Sequence, residues 1–132
     1  MNIHGSVAEW LKVSNDGDVS TRGLVPTMGA LHEGHGSLIQ QCVADNVQSI
    51  VTIYVNPTQF ENPDDLGNYP DSLQEDIRYL ELLGVSDLIL PQYSELYPFD
   101  FTIFVDESRD SSVLCGKNRV GHFKGVLSVV MK

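Results

Sequence analysis

A chain of 132 residues can bury roughly two thirds of the surface its unfolded form exposes, so one domain with a sizeable core is expected. Its 18 acidic against 8 basic side chains give a net charge of -10, which repels phosphate backbones and sets nucleic-acid binding aside, while a small anion could still be held locally. Two distant cysteines, Cys42 and Cys115, indicate neither a disulfide scaffold nor a thiolate metal site; no apolar run approaches the roughly 18 residues of a membrane span, and the reading is a soluble cytoplasmic protein.

In "SVAEWL", Ser6 stands three before Glu9, the spacing at which a hydroxyl and a carboxylate cap a helix reciprocally, and a short first helix is predicted. "RGLVPT" (22–27) reads as a buried strand ending at Pro26. "HGSLIQQCVADN" then reads as a helix with Leu38, Ile39, Cys42, Val43 and Val47 on its inner face. "SIVTIYV" (49–55) is a β-branched strand. The following "NPTQFENPDDLGNYPDS" is long for a loop in a small domain and is expected to be functional. Ser72 and Glu75 repeat the capping spacing ahead of "LQEDIRYLELLG", where Leu73, Ile77, Leu80 and Leu83 face inward and Gly84 closes the helix. "DLILP" (87–91) is another strand. Strands alternating with helices predict an α/β fold, a Rossmann-like parallel sheet with helices on both faces.

Ligands of such sheets bind beyond the carboxyl ends of the strands, and "LVPTMGALHEGH" (24–35) lies at one such end. Gly29 and Gly34 allow a tight turn and a close approach, and the helix start offers N–H groups and the positive end of its dipole. His32 and His35, three apart on the first turn, would donate to phosphate oxygens as charge builds during displacement of pyrophosphate. Zinc is the rival reading of the pair, although no third ligand lies at a nearby spacing. Late in the chain Lys117, Arg119 and Lys124 form a basic stretch in an acidic protein. It is either a solvated loop or an anion-binding patch, and the Arg119 fork suits phosphate or carboxylate.

Together with "VNPTQF" (55–60), "NYPDSLQED", "LYP" and "CGKNRVGHFKGV" (115–126), in that order, "LVPTMGALHEGH" resembles the pantothenate synthetase family, also called pantoate beta-alanine ligases, over nearly the whole chain. His-x-Gly-His alone would indicate only the wider nucleotidyltransferase superfamily; Pro-Thr-Met-Gly and Asn-Pro-x-Gln-Phe are far more specific. The resemblance implies that ATP, with Mg2+, is attacked at its α-phosphorus by the carboxylate of pantoate. This gives pantoyl adenylate and pyrophosphate, and the amine of beta-alanine then displaces AMP. By the same likeness the protein is a homodimer with small-molecule substrates. His32 and His35 take the catalytic role at the ATP phosphates, with Met28, Gly29, Gly34, Lys117 and Arg119 in the ATP site. Pro26, Thr27, Met28 and Gln59 line the pantoate pocket. Read from the residues alone, Met28 fits a core equally well, Asn56-Pro57 fits a turn, and His122 fits a structural role.

The sequence departs from the family at Asp71 (usually arginine), Cys115 (often glutamate), Val120 (usually proline) and Gly36, where a larger apolar residue is usual and an interior glycine costs about 1 kcal/mol. The family also continues past "VLSVVMK" with Gly-Glu-Lys-Asp, Ser-Ser-Arg-Asn and a small C-terminal domain. The expectation is therefore that residues 1–132 are an incomplete N-terminal ATP- and pantoate-binding domain, inactive alone. Two other classes stay open: an adenylyltransferase acting on a phosphate acceptor, and a non-catalytic module that binds nucleotide or a partner subunit.

Overall fold

The strands Asn2–His4 (β1), Arg22–Thr27 (β2), Gln48–Ile53 (β3) and Asp87–Ile89 (β4) form one parallel sheet in the order β1-β4-β3-β2. The computed structural model describes residues 1–14, 21–113, 116, 117 and 119–132, and Cys115 lies outside these. The helices are Val7–Val13 (α1), Glu33–Asp45 (α2), Pro63–Gly67 (α3), Leu73–Leu82 (α4), Tyr93–Leu96 (α5) and His122–Val130 (α6). Among the described residues no helix is long and apolar enough to cross a membrane. The chain divides into two compact units, Met1–Tyr54 with Pro70–Glu95, and Val55–Tyr69 with Leu96–Lys132.

The first unit holds the sheet, with α2 connecting β2 to β3. Its core joins Val25, Ile39, Val51, Leu80, Val85 and Leu88, drawn from three strands, α2, α4 and the turn after α4. A fully buried Ile39, Val51, Leu80 or Leu88 contributes roughly 1.5–3 kcal/mol of transfer free energy. β4 is buried along its length, as an inner strand should be. β2, expected to be buried throughout, instead alternates, with Val25 and Thr27 inside and Leu24 and Pro26 outside. It is the edge strand of the described sheet, where a proline costs no ladder bond, so the strand runs through Pro26 to Thr27.

The inner face expected for α2 is narrower than the periodicity suggested: Leu38 is exposed, Val47 lies past the helix end at 84% exposure, and Ile39 carries the burial. Ser6 caps α1 by accepting the Glu9 N–H, but the Glu9 carboxylate takes the N–H of Gly5 rather than that of Ser6. Gly84, at φ 79°, ends α4 as expected. Asp87 ties β1, β3 and β4 together. Its buried carboxylate accepts from Asn2 Nδ2, His4 Nε2 and Gln48 Nε2 at 3.1, 2.8 and 2.8 Å. Burial works to raise its pKa, but the donors His4, Gln48 and Asn2 prevail and hold it below the usual carboxylate range.

The second unit contains the long segment after β3, which is not a bare loop. Pro57–Gln59 form a 3-10 turn capped by Asn56, and Asn62 caps α3. α6 packs against the 3-10 turn closely enough that Gly125 has no room for a Cβ, which would meet the Thr58 carbonyl oxygen at 2.5 Å.

Candidate functional site

At the carboxyl end of β2 the chain makes a turn that only a few conformations permit. Gly29 has φ 79°, and Ala30 follows at φ 50°, a left-handed value that a residue with a Cβ rarely adopts. The tight turn expected at Gly29 is present, and its left-handed backbone extends to Ala30; Gly34 has no positive φ. Three N–H groups of this turn have partners: Gly29 donates to Thr27 Oγ1 at 3.2 Å, Ala30 to Asp76 Oδ2 at 2.9 Å, and Leu31 to Asp76 Oδ1 at 2.8 Å. Asp76, on α4 and only 3% exposed, is a residue the sequence reading missed. Ser72 was expected to cap α4 with Glu75. Its side chain makes no cap bond; the hydroxyl donates to Asp76 Oδ2 and accepts from the Ala30 N–H.

The turn delivers His32 to the N-cap of α2 and His35 to its third position. His32 Nδ1 accepts the Gly34 N–H at 3.1 Å, and His35 Nδ1 accepts the His32 N–H at 3.4 Å. This reciprocal arrangement resembles a capping box built from imidazoles. An Nδ1 that accepts carries no proton, so each neutral ring holds its proton on Nε2 and has that N–H left to donate. The rings lie 4.1 Å apart, centre to centre. Burial lowers the pKa of His35, the neighbouring His32 pushes the same way, and the charge of Asp76 opposes them. The Gly34 N–H, expected to be free for a ligand, is taken by His32. The glycine is needed for another reason: a Cβ at 34 would meet the His32 ring at 2.9 Å.

The other predicted residues of this unit divide. Thr27 is buried, and its hydroxyl donates to the Thr52 carbonyl at 2.8 Å while accepting from Gly29, so it is occupied in shaping the turn. Pro26 is exposed on β2. Met28 is half-buried and stands outside the core cluster. Gly36 is buried because the Tyr79 hydroxyl occupies the place its Cβ would take, which accounts for a glycine at this position of the helix. Among the described residues no three His, Cys, Asp or Glu side chains come together as a metal-ligand set.

In the second unit Gln59 belongs to a network centred on Asn56, which is fully buried. Asn56 Oδ1 accepts from the Thr58 N–H, the Thr58 hydroxyl and the Tyr97 hydroxyl at 3.3, 2.9 and 3.1 Å. Its Nδ2 donates to Gln59 Oε1 at 3.0 Å and to the Gly125 carbonyl at 3.4 Å. The amide orientation is fixed because the Thr58 N–H can only donate and the Gly125 carbonyl can only accept. Gln59 Oε1 is thereby engaged, and its Nε2 remains as a donor. His122 Nδ1 donates to the Gln59 carbonyl at 3.0 Å, so the histidine of "GHF" anchors the same turn. Lys117 and Arg119 are exposed, and Lys124 Nζ lies 5.0 Å from the centre of the Phe104 ring.

Residues 2–132 match the family model for pantoate-beta-alanine ligase. The chain is 48% identical over 112 residues to the pantothenate synthetase of Fervidobacterium nodosum, covering 85% of this chain and 40% of that protein. It is 43% identical over 134 residues to the pantothenate synthetase of Thermotoga neapolitana, covering 100% and 48%. It superposes with TM-score 0.89 and 41% identity on the pantoate-beta-alanine ligase of Francisella tularensis, solved in complex with beta-gamma ATP and beta-alanine, covering 99% of this chain and 51% of that one. The chain thus spans about half the length of the relatives it matches.

Proposed function

Because the chain belongs to the pantoate-beta-alanine ligase family, we propose that it carries the ATP phosphate ligands and the pantoate-orienting amide of an enzyme that condenses pantoate with beta-alanine through pantoyl adenylate. The observation that carries this reading is the histidine pair. Two imidazoles use Nδ1 to cap their own helix and so hold both Nε2–H groups as preorganised donors at its positive end. Donors fixed before the reaction cost no reorganisation when charge develops on departing pyrophosphate, and such placement is worth several kcal/mol in a closed site. The depressed pKa of His35 keeps its ring neutral near pH 7, so it acts as a hydrogen-bond donor and not as a cation.

Gln59 complements this. With Oε1 held by Asn56, its Nε2–H groups suit the carboxylate or hydroxyl oxygens of a hydroxy acid. The acid, once oriented, attacks the α-phosphorus; AMP then serves as the leaving group when the amine of beta-alanine attacks the acyl carbon. Magnesium fits as a companion of the triphosphate, where it would neutralise the leaving pyrophosphate. The carboxylate of Asp76 is already engaged by two backbone N–H groups and the Ser72 hydroxyl, and is not an available ligand. Pantoate-dependent release of pyrophosphate from ATP tests the reading, with this sequence carried in a polypeptide of its relatives' full length. Equal release with phosphate-bearing acceptors, or none with pantoate, would overturn it.

A further inference from the structure

We propose that Asp76 is a positioning residue whose buried carboxylate holds the Gly29–Leu31 turn in its left-handed form and thereby sets the His32 and His35 donors for a triphosphate. This rests on the reading of the histidine pair as phosphate ligands. Four observations converge on Asp76. Both carboxylate oxygens accept backbone N–H groups from successive residues, Ala30 and Leu31, at 2.9 and 2.8 Å. The Ser72 hydroxyl donates to Oδ2 at 3.0 Å. Ala30 is held at φ 50°, which costs roughly 1–2 kcal/mol and persists only where surrounding contacts over-determine it. A Cβ at Gly29 would come within 3.0 Å of Asp76 Oδ2, so the preceding residue also leaves room for the carboxylate.

Backbone N–H groups in succession form a concavity that suits an anion. Here the protein fills it with its own carboxylate, so this turn is spent on geometry rather than on ligand. The residue after Leu31 is the N-cap His32, and no flexible segment intervenes between the clamped N–H and the capping imidazole. A displacement of the turn is therefore passed on to both rings, His32 directly and His35 through its bond to the His32 N–H. Misplacement of a catalytic donor by about 1 Å can cost on the order of 100-fold.

The test uses this chain and two probes, magnesium-ATP and inorganic tripolyphosphate. In the unmodified chain, NMR should show downfield Ala30 and Leu31 amide protons and ring shifts of His32 and His35 on titration with either probe. Asp76→Asn keeps the side chain's shape but sets an NH2 against one of the two N–H donors. It should remove at least one downfield signature and weaken both probes about 10-fold while cooperative melting is retained. Should that variant not fold, Ser72→Ala leaves the carboxylate but loosens it, and an intermediate weakening is expected. Wild-type affinity in a folded Asp76→Asn chain, or in Ser72→Ala where that variant stands in, overturns the positioning role and leaves the phosphate reading intact. Absence of any ring shift in the unmodified chain overturns the phosphate reading itself, and this inference with it.

Discussion

The Nδ1 of His35 accepts the backbone N–H of His32 at 3.4 Å, so the residue expected to touch phosphate also closes the helix it stands on. The two roles separate by substitution. His35→Ala removes ring and cap together, whereas His35→Gln retains an acceptor that suits the third helical position. The alanine variant should lose about 1 kcal/mol of stability and the glutamine variant little. In a polypeptide of the relatives' full length, both should slow adenylate formation by about 100- to 1,000-fold. Single-turnover rates within a few-fold of the parent for His35→Gln would show that the ring serves the helix alone.

The depressed pKa of His35 gives stability a definite pH dependence. The unfolded chain takes up its proton first, near the ordinary histidine value of about 6.5, so the folded form is favoured above that pH. The contribution is lost as pH falls through the lower pKa of the folded ring, where protonation also ends the ability of Nδ1 to accept. Asp87 behaves alike at lower pH, since its depressed pKa contributes stability above the ordinary carboxylate value and loses it on further acidification. Urea melts from pH 8 to 3 should show two falls, and His35→Gln should abolish the first. An unchanged first fall in that variant would assign it to another group.

What the sequence made legible was what local spacing encodes. The β-branched run of β3 forms a strand, over Gln48–Ile53 rather than 49–55, and the apolar face of α4 and the glycine that ends it stand where their patterns place them. β1 has three residues, too short for any period to register. α6 begins at a left-handed Gly121 without a side-chain cap and carries Gly125 inside it, both signals against a helix until the close approach to Thr58 is known. At the site, the histidine pair was visible as a ligand pattern but not as a cap, because imidazole is not among the usual capping side chains. Asp76 was invisible for a different reason: its bond to Ala30 spans 46 positions, and nothing local distinguishes its carboxylate from that of Glu75. Serine followed three residues later by glutamate suggested a box at Ser72, but the Ala30 N–H of the distant turn and the Asp76 carboxylate won the hydroxyl.

Gly36 and Tyr79 should be energetically coupled. The Tyr79 hydroxyl fills the place of a Cβ at 36, and the next ring atom, Cζ, lies 3.1 Å from that point. Gly36→Ala should therefore cost about 1–3 kcal/mol through overpacking. In a Tyr79→Phe background the hydroxyl is gone, and the same change should be near neutral or should gain up to about 1 kcal/mol of helix propensity. Denaturant melts of the four proteins measure the cycle. A coupling below about 0.5 kcal/mol would mean that the ring moves aside without cost.

The orientation of Gln59 gives a prediction that charge alone would not. Asn56 Nδ2 donates to Gln59 Oε1, and the Asn56 amide cannot flip, because its other contacts include the donor-only Thr58 N–H and the acceptor-only Gly125 carbonyl. A ligand reaching Gln59 as proposed would therefore meet N–H donors. Gln59→Glu preserves shape and the bond from Asn56 but replaces those donors with a second acceptor oxygen, negatively charged, which in the proposed pantoate site would face the carboxylate or hydroxyl of a hydroxy acid. Gln59→Ala leaves Asn56 Nδ2 short of one acceptor, a cost of about 1–3 kcal/mol in stability, yet it places no charge against the ligand. The glutamate variant should thus fold at least as well as the alanine variant and bind pantoate more weakly, with ATP binding little changed in either. Calorimetry with pantoate and with ATP, beside thermal melts of each variant, separates the two effects. Pantoate binding by Gln59→Glu equal to or tighter than that by Gln59→Ala would show that Gln59 turns its oxygen, not its nitrogen, toward the acid, and that the Asn56 contact does not persist in the complex.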